Sequence, residues 1–176
     1  MSTNQKFDLS HFTLQQIMEM EACTRCGECI EVCPTFAEAR NEEIHPLSKI
    51  QRTKSFWKAD HLGFLARLFG IRRPTEEQWE AFSQGVYQCT LCGRCNVVCP
   101  VQIDTRPMWI AIRELLVDRN LQPELMNRLR ETLLANYNIS GDPNENRLGW
   151  TANMPTPPGG LDRKQNADVV YFMGCV

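Results

Sequence analysis

Eight of the nine cysteines in this chain fall into two copies of one pattern. Cys23-x2-Cys26-x2-Cys29-x3-Cys33-Pro34 returns as Cys89-x2-Cys92-x2-Cys95-x3-Cys99-Pro100. Three evenly spaced thiolates on one short loop, then a fourth carried off by an extra residue and a proline, is the bacterial run that binds cubane [4Fe–4S] clusters. In that pattern the fourth cysteine ligates the cluster held by the other run. The expected ligand sets are therefore Cys23, Cys26, Cys29 and Cys99 for one cluster, and Cys89, Cys92, Cys95 and Cys33 for the other. Crossed ligands would hold the two runs face to face, close enough for electrons to pass between the cubes.

Other uses of cysteine fit less well. Structural zinc wants four ligands converging tetrahedrally, usually as two separated pairs. Disulfide scaffolds belong to secreted chains, and Met1 to Ser10 has no apolar stretch of the kind a signal peptide carries. Reduced thiolates and clusters together lead to the expectation of a cytoplasmic protein. A formal net charge of −2 gives no electrostatic reason to expect nucleic acid as a partner. No apolar run approaches the roughly 18 residues of a membrane span. His11, His45 and His61 stand apart from the cysteine spacing and are not read as ligands. There is no P-loop, dinucleotide fingerprint or nucleophile elbow, so no catalytic residue is assigned.

Between and around the runs the sequence reads as helix and loop. Thr13 suits the cap of a helix at 12–19, with Leu14, Ile17 and Met18 on one face. Glu28 to Cys33 reads as a turn or two of helix stopped by Pro34. Pro46 suits the first turn of a helix running through Ile50 toward Trp57, and Leu62, Leu65, Leu68 and Phe69 continue at helical spacing. Thr75 with Gln78 is a capping box opening 76–87. Thr105 opens a helix through Val117 with a Trp109, Ile112, Leu115, Leu116 stripe, and Pro123 starts another through Leu125, Leu129, Leu133 and Leu134. The fold expected is mainly α, with the cluster pair inside a helical bundle at 1–137. Residues 138–166, rich in Pro, Gly and Asn, read as a linker with Leu148, Trp150 and Met154 available to dock. Residues 167–176 read as a buried strand ending at Gly174-Cys175, the beginning of a further domain that continues past Val176.

The stretches EACTRCGECIEVCPTF, HPLSKI and CTLCGRCNVVCPVQID resemble the α-helical ferredoxin module of heterodisulfide-reductase-like iron–sulfur proteins. The module is similar to the iron–sulfur parts of anaerobic glycerol-3-phosphate dehydrogenase, glycolate oxidase and succinate dehydrogenase. DVVYFMGC resembles the first strand and cysteine of the α/β CCG domain that follows in fused members, which would make Cys175 its first ligand-type cysteine. The opening FTLQQIMEMEACTRCGEC is similar to the subunit of this kind found in membrane-bound sulfur-metabolising complexes. The resemblance implies single-electron transfer between a redox partner and a CCG-type site acting on a disulfide or sulfur substrate, with a further non-cubane cluster in that domain. It also implies a hetero-oligomeric complex, with a quinone-interacting cytochrome b subunit as membrane partner and a place at the cytoplasmic face of the inner membrane. Two other readings stand beside it: the iron–sulfur subunit of a flavin-dependent glycerol-3-phosphate, glycolate or lactate dehydrogenase, and a protein whose clusters are purely structural.

Several residues near the runs invite a role. Gly27 and Gly93 would let backbone amides approach cluster sulfur, while Arg25, Glu28 and Arg94 lie between ligands, the two arginines as equivalents. Ile30, Val32, Val97, Val98, Val101 and Ile103 are expected to shield the cubes from water. From Lys49 to Arg73 seven basic residues (Lys49, Arg52, Lys54, Lys58, Arg67, Arg72, Arg73) meet one acid, Asp60, interleaved with Phe56, Trp57, Leu62, Phe64, Leu65, Leu68, Phe69 and Ile71. This reads first as a helix pair packed on the core with its lysines in water, and second as a basic docking face toward a membrane partner. Iron and acid-labile sulfide analysis of anaerobically purified protein is expected to give about eight of each per chain; about two zinc ions without sulfide would refute the cluster reading.

Overall fold

The computed structural model describes residues 6–62, 68, 70, 72–156 and 166–168. They belong to two compact units, Met1–Pro123 and Glu124–Val176, and all regular structure among the described residues is helical. The first unit carries α1 (Leu14–Ala22), α2 (Glu28–Glu31), α3 (Pro34–Ala39), α4 (Pro46–His61), α5 (Glu76–Tyr87), α6 (Arg94–Val97) and α7 (Thr105–Asp118). The second carries α8 (Glu124–Asn136) and a 3₁₀ helix, Asn144–Asn153. Of the expected strand at 167–176, only Ala167 and Asp168 lie among the described residues, as do only Leu62 and Leu68 of the apolar repeat that follows α4.

Local chemistry starts these helices where sequence reasoning places them. Thr13 and Thr75 each close a capping box: Thr13 Oγ1 accepts from Gln16 N–H (3.2 Å) while Gln16 Oε1 accepts from Thr13 N–H (2.8 Å), and Thr75 does the same with Gln78. Pro46 occupies the first turn of α4, where its missing N–H costs nothing. The cap itself is His45, whose Nδ1 accepts from Ser48 N–H at 3.0 Å. Pro34 stops α2 and opens α3, a helix not foreseen. Thr105 is the first residue of α7 and not its cap, which is Asp104, and its hydroxyl lies against Cys95 Sγ.

The core of the first unit is built by α4, α5 and α7. Ile50 and Phe56 of α4, Trp79, Phe82 and Val86 of α5, and Met108, Trp109, Ile112, Leu115 and Leu116 of α7 are all buried in one cluster. Phe7 and Phe12, ahead of α1, add to an aromatic group in which Phe56 and Trp79 lie 4.5 Å apart and Phe7 and Trp79 6.1 Å. The α7 stripe is as expected. The α1 stripe is not: Leu14 and Met18 are 73% and 64% exposed, and the helix turns Ile17 and Met20 inward instead. In the second unit α8 buries none of its residues. The expected linker has structure at its start: Asn138 Nδ2 donates to Asp142 O (2.8 Å), and its Oδ1 accepts from Gly141 N–H (2.6 Å).

One glycine is demanded by packing. A Cβ on Gly85 would stand 2.2 Å from the Glu43 carbonyl oxygen, so only glycine lets α5 press against the segment between the first run and α4. Gly85→Ala is therefore expected to destabilise by about 1–3 kcal/mol through overpacking, although alanine is the better helix former by about 1 kcal/mol. A Tm lowered by several degrees is the expected result of thermal unfolding; an unchanged or raised Tm would contradict the packing.

Candidate metal centre

The two cysteine runs have the same backbone. Cys23 N–H donates to Met20 O and Cys89 N–H to Val86 O, each at 3.3 Å. Arg25 and Leu91 both take the left-handed conformation (φ 60° and 55°), as do Gly27 and Gly93 (φ 88° and 78°). Glycine adopts that conformation freely and other residues seldom do, so each run is bent twice at matching places. The register also corrects one pairing: Arg25 corresponds to Leu91 and Arg94 to Glu28. Both arginines are exposed. The short helices α2 and α6, which carry the third cysteine of each run, pack against one another.

This packing leaves two open cavities, one beside each run. Cys23, Cys26, Cys29, Cys95 and Cys99 line the first. Cys33, Cys89, Cys92 and Cys95 line the second. Cys95, the one buried cysteine among the described residues, borders both. Burial, and then the sulfurs of Cys95, Cys23 and Cys26 nearby, push the Cys29 thiol up to about 11. Sulfurs crowded in this way become thiolates only against strong positive charge, which the irons of a cubane cluster supply; the donor set fits such a group. Thr105 Oγ1 lies 3.0 Å from Cys95 Sγ and is the donor when that sulfur is a thiolate.

The walls differ in part from the expected shell. Ile103 is buried and lines the first cavity, but Val97 is 87% exposed and Val101, also on the first cavity, is exposed at its rim. α4 takes the place of the missing valines: Pro46 lines both cavities, Leu47 and Ile50 the first, Lys49 the second. Residues of HPLSKI, marked in the sequence only by resemblance, thus form the partition.

Two cations that sequence reasoning did not assign hold the runs in place. Lys54 Nζ donates to Met20 O (3.2 Å), the acceptor that also takes Cys23 N–H, and pairs with Glu21 Oε2 (3.1 Å). Arg113 Nη2 donates to Val86 O (3.2 Å) and Cys89 O (2.6 Å). Each cation satisfies carbonyls at the C-terminal end of the helix that delivers a run. A basic residue on the helix after each run is a signal, but its partner cannot be read from spacing.

Among its described residues, the basic segment is only in part a free face. Lys49 is 1% exposed and Lys54 is buried; Arg52 pairs with Glu43 (2.5 Å) and Arg73 with Asp60 (3.4 Å). Phe56 is in the core, while Phe64, Leu65, Arg67, Phe69 and Ile71 lie outside the described residues. The histidines have structural partners: His11 Nε2 meets Asp118 Oδ2 (2.9 Å), His45 Nε2 meets Glu42 Oε2 (3.0 Å), and His61 Nδ1 meets Trp57 O (3.1 Å). No helix among the described residues is long and apolar enough to cross a membrane.

Comparison with known proteins agrees with this geometry. Residues 19–103 match the family described as 4Fe-4S dicluster domain, so the chain carries an iron–sulfur, electron-transport domain of that kind. Its particular resemblance is to heterodisulfide-reductase-like iron–sulfur proteins. It is 35% identical over 170 residues, 96% of its length, to a subunit of the dihydromethanophenazine:CoB–CoM heterodisulfide reductase of Methanosarcina mazei. It is 26% identical over 110 residues, 61% of its length and 20% of the relative's, to the Hdr-like menaquinol oxidoreductase iron–sulfur subunit 2 of Archaeoglobus fulgidus. It is 25% identical over 114 residues, 65% of its length and 21% of the relative's, to the lactate utilization protein B of Exiguobacterium. The chain spans 40% of the length of the Methanosarcina protein. No solved structure matches it significantly.

Arg113→Met should leave carbonyls at the end of α5 and at Cys89 without their donor, at a cost of about 1.5–3 kcal/mol for hydrogen bonds to a charged group. Iron bound at the second run should then be lost faster to a chelator, followed by the decay of visible absorbance, while iron at the first run is retained. Equal loss from both runs would refute a local role.

Proposed function

We propose that the chain is an electron-transfer module holding two [4Fe–4S] clusters with crossed ligands: Cys23, Cys26, Cys29 and Cys99 on one, Cys89, Cys92, Cys95 and Cys33 on the other. The observation that carries this reading is the company each fourth cysteine keeps. Cys99 lines the cavity of the first run and Cys33 the cavity of the second. The second cavity has only four cysteines and the first has five, so an even division leaves the shared Cys95 to the second. When bound, such clusters supply one-electron oxidation and reduction. The chain's own part is to hold the sulfurs, keep water off them with Ile50, Ile103 and Trp109, and donate to Cys95 from Thr105.

The relatives support a wider reading. The module would pass electrons between redox partner subunits, including a quinone-interacting cytochrome b subunit of the membrane, and a CCG-type site acting on a disulfide or sulfur substrate. The proposed order is the helical domain at 1–137, the linker at 138–166, and the CCG domain from 167 onward with its own non-cubane cluster. The assembly would be hetero-oligomeric, at the cytoplasmic face of the inner membrane. The dehydrogenase alternative is less favoured, because the match to the lactate utilization protein is weaker and shorter than that to the heterodisulfide reductase.

The crossed assignment is tested with Cys99→Ala and Cys33→Ala, each read by EPR of the reduced protein. Cys99→Ala is expected to perturb the cluster that Cys26→Ala also perturbs, and Cys33→Ala the one shared with Cys92→Ala. If each variant instead affects the cluster of its own run, the ligands are not crossed.

A further inference from the structure

The second cavity contains a cation that the fold has buried without a hydrogen-bond partner. Lys49, on the first turns of α4, is 1% exposed, and no acceptor among the described residues reaches its Nζ. The ammonium lies 4.9 Å from the centre of the Trp109 ring, and Trp109 Nε1 is likewise buried with no acceptor. Both residues line the cavity of Cys33, Cys89, Cys92 and Cys95. A buried charge with no counter-charge costs several kcal/mol. The neighbouring lysine shows the ordinary solution: Lys54, also buried, has Met20 O and Glu21 Oε2. What Lys49 lacks is an anionic acceptor on the cavity side.

The first cavity is different. Its charged lining residues are Arg25 and Glu28, opposite in sign and both exposed, so water screens them. Ile50, next to Lys49 in sequence, faces that cavity instead. The second cavity has exposed Arg94 and buried Lys49, with no lining carboxylate. One site is electrically balanced with both charges in water, the other is cationic, with one of its two charges buried.

We propose that Lys49 is a positioning and tuning residue for the cluster bound at the second run: its ammonium donates to sulfur there and makes that cluster the more readily reduced of the two. This rests on the two-cluster reading above. A four-thiolate cubane becomes more negative by one charge on reduction, so a nearby positive charge stabilises the reduced form more than the oxidised one. Burial strengthens the effect by removing screening. Electrons entering this module would therefore rest at the second run, beside Lys49, and a transfer out of it would start there.

The experiment is an EPR-monitored redox titration of the purified protein and of Lys49→Met and Lys49→Arg. Cys92→Ala marks which of the two one-electron waves belongs to the second run, whether or not the ligands are crossed. In Lys49→Met that wave should move to lower potential by about tenfold in its equilibrium constant, which is about 59 mV for one electron, with the other wave unmoved. Lys49→Arg should keep the wild-type value. Unmoved waves, equal movement of both, or an arginine variant that behaves like methionine would overturn the proposal. If Lys49→Met is isolated without the second cluster while Lys49→Arg retains it, the charge is what that cluster needs and the proposal stands. If both variants lose it, shape rather than charge governs the site and the proposal falls. Iron and sulfide content of the unaltered protein is read first, so that a failure of the two-cluster reading is seen as such.

Discussion

Everything in the first unit answers to one contact, the packing of α2 against α6. These two short helices lie far apart in sequence, yet each carries the third cysteine of a run, and their approach turns two local loops into two shared cavities. Loops with such bends do not hold a position unaided. The rigidity comes from the helices that deliver and leave them. Lys54 and Arg113 tie the carbonyl end of the delivering helix to the helix that follows the run. Gly85 allows the second delivering helix to press directly on backbone beside α4. Asp104 N–H, at the start of α7, donates to Glu19 Oε2 of α1 (3.1 Å), so the exit of one run is fastened to the approach of the other.

What was legible in advance was local. The cysteine runs, the Thr13 cap, the Thr75 capping box, Pro46 at the start of α4 and the α7 stripe are all decided within one or two turns of chain, and each is where periodicity and cap chemistry predict. The misreadings are long-range. Lysines are nearly always solvated, so Lys49 and Lys54 read as surface residues. Their burial depends on Trp109, sixty residues further on, and on Met20, thirty-four residues back. Val97 fails as a shield for the same reason in reverse: its apolar side chain says nothing of the direction α6 will face. Leu14 and Met18 look like one stripe with Ile17, but the inward direction of α1 is chosen by Met20 and by the chain that arrives through Phe7 and Phe12.

A helical scaffold also explains why the partition between the cavities can be chemically sharp. Small ferredoxins place the same cysteine run on short strands, with the runs closer together; here fifty-five residues intervene, and most of α4 and α5 lies within them. Successive residues of a helix point about 100° apart. One turn of α4 can therefore present Ile50 to one cavity and Lys49 to the other, with Pro46 between. The helix separates two environments within adjacent residues.

That separation bears on direction. Two clusters with identical ligands and identical loop geometry would share an electron evenly, and the protein would have no preferred exit. The runs here bend at the same two places, the paired left-handed residues, so the loops themselves supply little difference. Inequality must come from what surrounds them: Thr105 Oγ1 sits against Cys95 Sγ, Arg25 and Glu28 offset one another in water, and one ammonium is enclosed with Trp109. These all derive from α4, α7 and the residues between ligands, the parts of the chain that differ between the two repeats. Repetition of the run provides a matched pair of sites, and the unrepeated helices make the pair unequal.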